Sequence, residues 1–143
     1  MVIRVNIEQP DDLISLSLHN IFTYRKNDKK FIRSVKNWNK KIVLHIEPFY
    51  PVTVIFEGIN ISFERKELEN YDLKLKVHIN VMLDIAYGRL APTKAIEEKK
   101  MELLGLEKDP KLMPKFFNIF VTSMNMVAAD PNLKYYELSN ETR

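Results

Sequence analysis

The sequence contains no cysteine, and it has only three glycines among its 143 residues. Without cysteine the chain can form no disulfide, no thiolate nucleophile and no thiolate metal site. The glycines at 58, 88 and 105 lie far apart, so no glycine-rich loop is available to cradle a phosphate group. These shortages exclude cysteine chemistry and the common nucleotide-binding loops.

Long apolar runs are also missing. No stretch approaches the roughly 20 residues that a helix needs to span a bilayer. The opening residues, MVIRVNIEQPDD, lack the apolar core of a signal peptide. We therefore expect a cytoplasmic protein. The few glycines and the wealth of Lys, Glu and Ile are in addition typical of a thermophilic source.

The composition is that of an ordinary globular domain, with 45% hydrophobic and 29% charged residues. We expect a single domain over residues 1–130 and a C-terminal tail over residues 131–143, beginning at Pro131 and mobile. The net charge is only +3, and lysines alternate with glutamates, so no nucleic-acid partner is expected.

A search for reactive groups finds no catalytic arrangement. The histidines at 19, 45 and 78 have no metal-ligand spacing, and His78 shares a polar strand face with lysines. The neighbouring carboxylates Asp11 and Asp12 fit helix capping better than acid–base chemistry. We expect no enzyme activity, no catalytic residue, no metal and no cofactor.

The middle of the chain has strand periodicity. Leu73, Leu75, Val77 and Ile79 alternate with Lys74, Lys76 and His78, which predicts a sheet with one buried and one wet face. Similar runs lie at 41–46, 51–57, 60–65 and 100–104, and the last of these is expected at a sheet edge. The pattern predicts an α+β fold in which a mainly antiparallel sheet of about five strands is covered on one face by helices.

The final helical segment is apolar around much of its circumference. It combines phenylalanines at 116, 117 and 120 with methionines at 113, 124 and 126. Such a segment either faces a core on several sides or covers an internal cavity as well as the sheet. Flexible methionines suit a cavity that adapts to ligands of varied shape.

The segment from Gly88 to Gly105 has the most specific spacing in the chain. Gly88 stands where a helix ends in a left-handed residue, and Pro92 stands where a first helical turn tolerates proline. The residues that carry this spacing are Gly88, Arg89, Leu90, Pro92, Ala95, Lys100, Met101, Leu103 and Gly105. This spacing resembles that of the type-two sterol carrier protein family, and the order of elements over roughly residues 10–128 agrees with it.

The resemblance implies an internal hydrophobic cavity or tunnel between sheet and helices. It implies non-catalytic binding and transfer of a fatty acyl, acyl-CoA, isoprenoid or sterol-like lipid, with transient contact to a membrane surface or a partner enzyme. The alternative is an accessory module that docks a lipid-pathway enzyme. We hypothesise a cavity lining made of Phe116, Ile119, Phe120, Met124, Met82, Ile85 and Ile96.

One position departs from the family pattern. Lys99 replaces the glycine that usually precedes Lys100. Because a lysine resists a left-handed backbone, the sequence predicts that the helix around Ala95 ends without a left-handed residue.

Overall fold

The computed structural model describes residues 3–131, which form one six-stranded mixed sheet with helices packed on it. The strand order is β1-β4-β3-β2-β5-β6. The strands are β1 Asn6–Ile7, β2 Asn39–Glu47, β3 Pro51–Glu57, β4 Asn60–Glu64, β5 Leu73–His78 and β6 Met101–Leu104. The helices are α1 Leu13–Thr23, α2 Lys29–Val35, α3 Ile79–Ala86, α4 Pro92–Glu97, α5 Leu112–Phe116, a π-helical turn Phe117–Val121 and α6 Thr122–Ala129.

The sheet confirms the α+β prediction and extends it by one strand. Strands β2, β3 and β4 form an antiparallel meander, and β6 lies antiparallel to β5 at one edge. Two pairings are parallel, β1 with β4 and β2 with β5, so the sheet is mixed. The chain returns after β4 to the far side of β2, which makes β5 parallel to β2.

The predicted register of β5 is confirmed. Leu73, Leu75 and Val77 are buried, whereas Lys76 and His78 are exposed. Lys74 is partly covered and pairs with Glu67, and Ile79 belongs to α3 instead of the strand. On the same face of the sheet, apolar side chains from all the longer strands meet the helices and form one core.

The opposite face of the sheet has a small covered patch. Val43 and Thr53 face each other across β2 and β3 and are fully buried. The Thr53 hydroxyl donates to the Lys66 carbonyl and accepts from the Leu68 N–H, so the segment after β4 covers this patch.

The helix caps match the sequence in two cases and differ in a third. The carboxylates of Asp12 and Asp28 accept hydrogen bonds from the first turns of α1 and α2, as capping preferences predict. Asn80 belongs to a residue type favoured at helix caps, but it does not cap α3. The capping residue of α3 is His78, whose ring accepts from the Asn80 N–H.

The end of α4 corrects the prediction about Lys99. Its φ is +59°, which is left-handed. The Lys99 N–H donates to the Ile96 carbonyl and the Lys100 N–H to the Ala95 carbonyl, which is the Schellman arrangement. α3 ends in the same arrangement with Gly88 at the left-handed position, where φ is +77°. The two hydrogen bonds that end α4 therefore outweigh the steric preference of lysine for a negative φ.

We expect Lys99→Gly to raise the free energy of unfolding by about 0.5–1 kcal/mol, because glycine removes the Cβ strain of a left-handed residue. Denaturant unfolding measures the change. Lys99→Ala keeps the strain and should give no such gain, whereas Gly88→Ala should destabilise by about 1 kcal/mol. A loss of stability in Lys99→Gly would contradict the strain at this position.

A buried arginine braces the π-helical turn. Arg25 is only 2% exposed, and its Nη1 donates to the Asn118 carbonyl at 3.0 Å and to the Ser123 hydroxyl at 3.1 Å. Its Nε pairs with Asp28 at 2.9 Å, and its guanidinium lies 5.0 Å from the Phe31 ring centroid. Burial pushes the pKa of Asp28 up, but hydrogen bonds from Arg25 and nearby backbone N–H groups outweigh it, so the pKa lies below its ordinary value.

Arg25→Lys should lower the free energy of unfolding by about 2–3 kcal/mol, even though the charge is kept. A lysine has one nitrogen and cannot reach Asp28, Asn118 and Ser123 together, so buried polar groups would lose partners. Chemical denaturation monitored by Trp38 fluorescence measures the loss. The neighbouring exchange Lys26→Arg, which does not touch this network, serves as a control, and equal stability of the two variants would refute the bracing role.

Candidate functional site

A cavity of about 460 Å³ lies between α1, α3 and α6. Its volume falls within the range of roughly 300–1,000 Å³ that is typical of small-molecule sites. Its lining comes from α1 (Ile14, Ser17, Leu18, Ile21), β2 (Ile46), α3 (Ile79, Met82, Leu83, Ala86), α6 (Met124, Val127, Ala128) and the residues Tyr87 and Asp130 that directly follow α3 and α6. Apart from Ser17, Tyr87 and Asp130, every lining residue is aliphatic or methionine.

The mouth of the cavity is marked by lining residues that solvent reaches. Leu83 is 43% exposed and Tyr87 is 59% exposed, although both line the cavity. Leu83 lies in α3 and Tyr87 caps its end one turn later, so the opening lies beside the end of this helix. Large apolar side chains left in water beside an apolar cavity are a feature of ligand or partner sites.

A second recess of about 370 Å³ lies on the other side of the junction between α3 and α6. The two spaces share Ala86, Tyr87 and Ala128. The Asn125 amide donates to the carbonyls of Ile85 and Ala86 at 2.9 and 2.7 Å, which holds the end of α3 against α6. This junction therefore separates the two spaces.

The seven hypothesised lining residues fall into two groups. Phe116, Ile119 and Phe120 are buried in the core, and the Phe120 ring lies 4.9–5.9 Å from the rings of Phe116, Phe22 and Phe56. These aromatic contacts place Phe120 within a packed cluster beside the sheet. A role for these three residues in ligand contact stays a prediction.

The other four hypothesised residues lie closer to open space. Met124 and Met82 both line the cavity, from α6 and α3 respectively. Ile85 lines the second recess, and Ile96 packs half-buried against the core cluster. Ligand contact by any of them remains a prediction, as for the first group.

Sequence reasoning missed the contribution of α1. The apolar spacing of Ile14, Leu18 and Ile21 was visible as an ordinary amphipathic stripe, and such a stripe does not show whether it meets a core or a cavity. Asp130 was missed as well. No local pattern marks a carboxylate that comes to a cavity wall only through the packing of its helix.

Two tyrosine–carboxylate pairs flank the helical layer. Tyr50 donates to Asp12 at 2.6 Å, and burial together with this bond raises the pKa of Tyr50. Tyr24 donates to Asp130 at 2.7 Å, and this bond, more than burial, raises the pKa of Tyr24. Both phenols are thus held protonated and act as donors that fix a carboxylate.

His19 is the most deeply buried titratable ring on α1. It is 1% exposed, its Nδ1 lies 2.9 Å from the Glu8 carbonyl, and its Nε2 is buried with no hydrogen-bond partner among the described residues. Burial lowers the pKa of His19 below its ordinary 6.5, the bond to Glu8 opposes this, and the charge of Lys26 adds to the lowering.

The folded protein should therefore lose stability as the pH falls below about 6.5, because the unfolded chain protonates His19 first. Unfolding free energies measured between pH 7.5 and 5.5 test this. His19→Asn keeps a donor for the Glu8 carbonyl without titrating, so its stability should depend less on pH in this window. An equal slope in both proteins would show that His19 is not responsible.

Within residues 3–131 no helix is both long and apolar enough to cross a membrane. The same part of the chain holds no group of three or more His, Asp or Glu side chains able to bind a metal ion. The cavity, with its mostly apolar lining, is the candidate site that the described residues offer.

Comparison with known proteins identifies the architecture. No protein-family model and no curated protein matches the sequence. Solved structures do match. A crystal structure of sterol carrier protein 2 aligns with a TM-score of 0.57 and 13% identity, over 76% of this chain and 93% of that one. The chain has the sterol carrier protein fold.

The sterol carrier fold also occurs in proteins with other names. A ubiquinone synthesis protein, UbiJ-SCP2, matches with a TM-score of 0.52 and 14% identity, over 72% of this chain and 78% of that one. The sec-alkylsulfatase Pisa1 from a Pseudomonas species matches with a TM-score of 0.52 and 16% identity over 62% of this chain. The match spans only 14% of that sulfatase. The resemblance carried by Gly88–Gly105 is thereby confirmed at the level of fold.

Proposed function

We propose that this protein binds and carries a hydrophobic ligand in the cavity between α1, α3 and α6, without catalysis. The observation that carries the proposal is the apolar cavity of about 460 Å³ with a mouth at Leu83 and Tyr87. The sterol carrier fold supports it as an analogy. Candidate ligands are lipids with a fatty acyl, isoprenoid or sterol-like body.

The driving force would be removal of apolar surface from water, worth roughly 25 cal/mol per Å² before the costs of association. Met82 and Met124 line the cavity from different helices, and their unbranched side chains adjust to different shapes. This lining favours selection of ligands by the volume of their apolar part.

A second candidate is an accessory module that docks on a lipid-pathway enzyme. The exposed side chains of Leu83 and Tyr87 favour it, because they would be covered in such a complex. The match to a protein named as a ubiquinone synthesis protein and the match within a sulfatase support this candidate by analogy. Native mass spectrometry of the purified protein separates the two, since a carrier retains extractable lipid and a docking module does not.

Met82→Glu should weaken binding of a fluorescent acyl probe at least tenfold while changing the free energy of unfolding by less than about 1 kcal/mol. A carboxylate in the cavity wall would face the apolar ligand, but solvent reaches it through the mouth when the ligand is absent. Probe titration of protein stripped of lipid measures affinity, and denaturant unfolding measures stability.

Two matched variants serve as controls. Leu104→Glu makes the same chemical change at an exposed position of edge strand β6 and should leave probe binding intact. Phe120→Glu places a carboxylate among the packed rings and should destabilise the fold by about 3 kcal/mol or more. Absence of saturable probe binding by the lipid-free wild type would refute the carrier proposal.

A further inference from the structure

The wall between the cavity and the second recess is thin where α3 meets α6. Ala86 is the last residue of α3, Ala128 lies near the end of α6, and both line the cavity as well as the recess. Each contributes only a methyl group, and neither is fully buried. The two spaces, of about 460 and 370 Å³, therefore adjoin here with little side-chain bulk between them.

The side chain of Asn125 reinforces this thin wall. Asn125 lines the second recess and lies one turn before Ala128 on the same face of α6. Its Nδ2 donates to the carbonyls of Ile85 and Ala86 at 2.9 and 2.7 Å. The last carbonyls of a helix have no partner within that helix, so this amide caps α3 from a neighbouring helix. The two bonds hold the side chain in place between α3 and α6.

An apolar chain that passed from the cavity into the second recess would have to displace this amide. The carbonyls of Ile85 and Ala86 would each lose a hydrogen bond, and a hydrocarbon offers no replacement. Polar groups that lose a partner beside an apolar chain are costly. The Asn125 amide is thus a barrier to the chain, although the recess beyond it has an apolar lining that includes Leu90 and Pro92.

We infer that Asn125 limits the length of the apolar chain that this protein accepts. The chain of the ligand occupies the cavity of about 460 Å³ and stops at the amide, and the recess of about 370 Å³ stays outside the binding site. Asn125 is then a specificity-determining residue that selects ligands by chain length without belonging to the cavity lining. This inference rests on the proposed function, and it concerns which ligands fit the cavity.

Titration of the lipid-free protein with straight-chain acyl probes, from octanoyl to icosanoyl and carrying the same fluorophore, tests the inference. In the wild type each added methylene should strengthen binding by about fourfold until the chain reaches Asn125, and longer chains should gain much less. Asn125→Ala removes the amide, so the increase should continue to longer chains. The longest probes should then bind this variant at least about tenfold more tightly than the wild type.

Further variants separate this barrier from a general loosening of the helices. Ala129→Trp, combined with Asn125→Ala, places an indole at an exposed residue that lines the recess but not the cavity, so the wild-type length limit should return. Asn118→Ala removes the same amide from a residue that lines neither space, so the limit should not move. Asn125→Ser is too short to reach both carbonyls and takes the place of Asn125→Ala if that variant does not fold.

The outcomes distinguish the length limit from the carrier function. Equal length limits in the wild type and in the Asn125 variants would overturn the inference while leaving a lipid carrier in place. A wild-type affinity that rises without a break up to the icosanoyl probe would overturn it as well. Failure of every probe to bind the lipid-free wild type would overturn both the inference and the proposed function.

Discussion

The helical layer depends on one buried cation. Arg25 stands just after α1 and reaches the carbonyl of Asn118 inside the π-helical turn, the hydroxyl of Ser123 and the carboxylate of Asp28. A buried guanidinium is costly unless each of its donors is satisfied, so these partners are held in place by one another. Through this network the start of α2, the end of α1 and the last helix form one unit.

The π-helical turn that Arg25 contacts decides which residues of this segment face the core and which face the cavity. A π-helical turn contains one residue more than an α-helical turn, so it rotates the faces of α6 by about 100° relative to an uninterrupted α-helix. Phe116 and Phe120 can then pack on the sheet while Met124 faces the cavity. The segment is apolar around much of its circumference because its first part packs on the core and its second part, after the π-helical turn, faces the cavity.

Local patterns predicted most of the sheet because a strand repeats every two residues and burial on one face imposes alternation. The bounds of β3 and the edge position of β6 agree with such patterns. The parallel pairing of β2 with β5 had no local signal, since it depends on where the chain returns. At Lys99 a local preference was present but misleading. The preference of lysine for a negative φ is outweighed there by the hydrogen bonds that end α4.

The sequence by itself determined the class of fold, the alternating strands and the likeness to sterol carrier proteins. All of these rest on periodicity, spacing and the order of elements along the chain. Only the tertiary structure decided that Phe120 packs among aromatic rings, that α1 supplies one cavity wall and that Asp130, directly after α6, lines the same cavity. Whether an apolar stripe meets side chains or empty space depends on how helices distant in sequence are positioned. Here the hydrogen bonds from Arg25 to Asn118 and from Asn125 to Ile85 fix the last helix relative to α1 and α3.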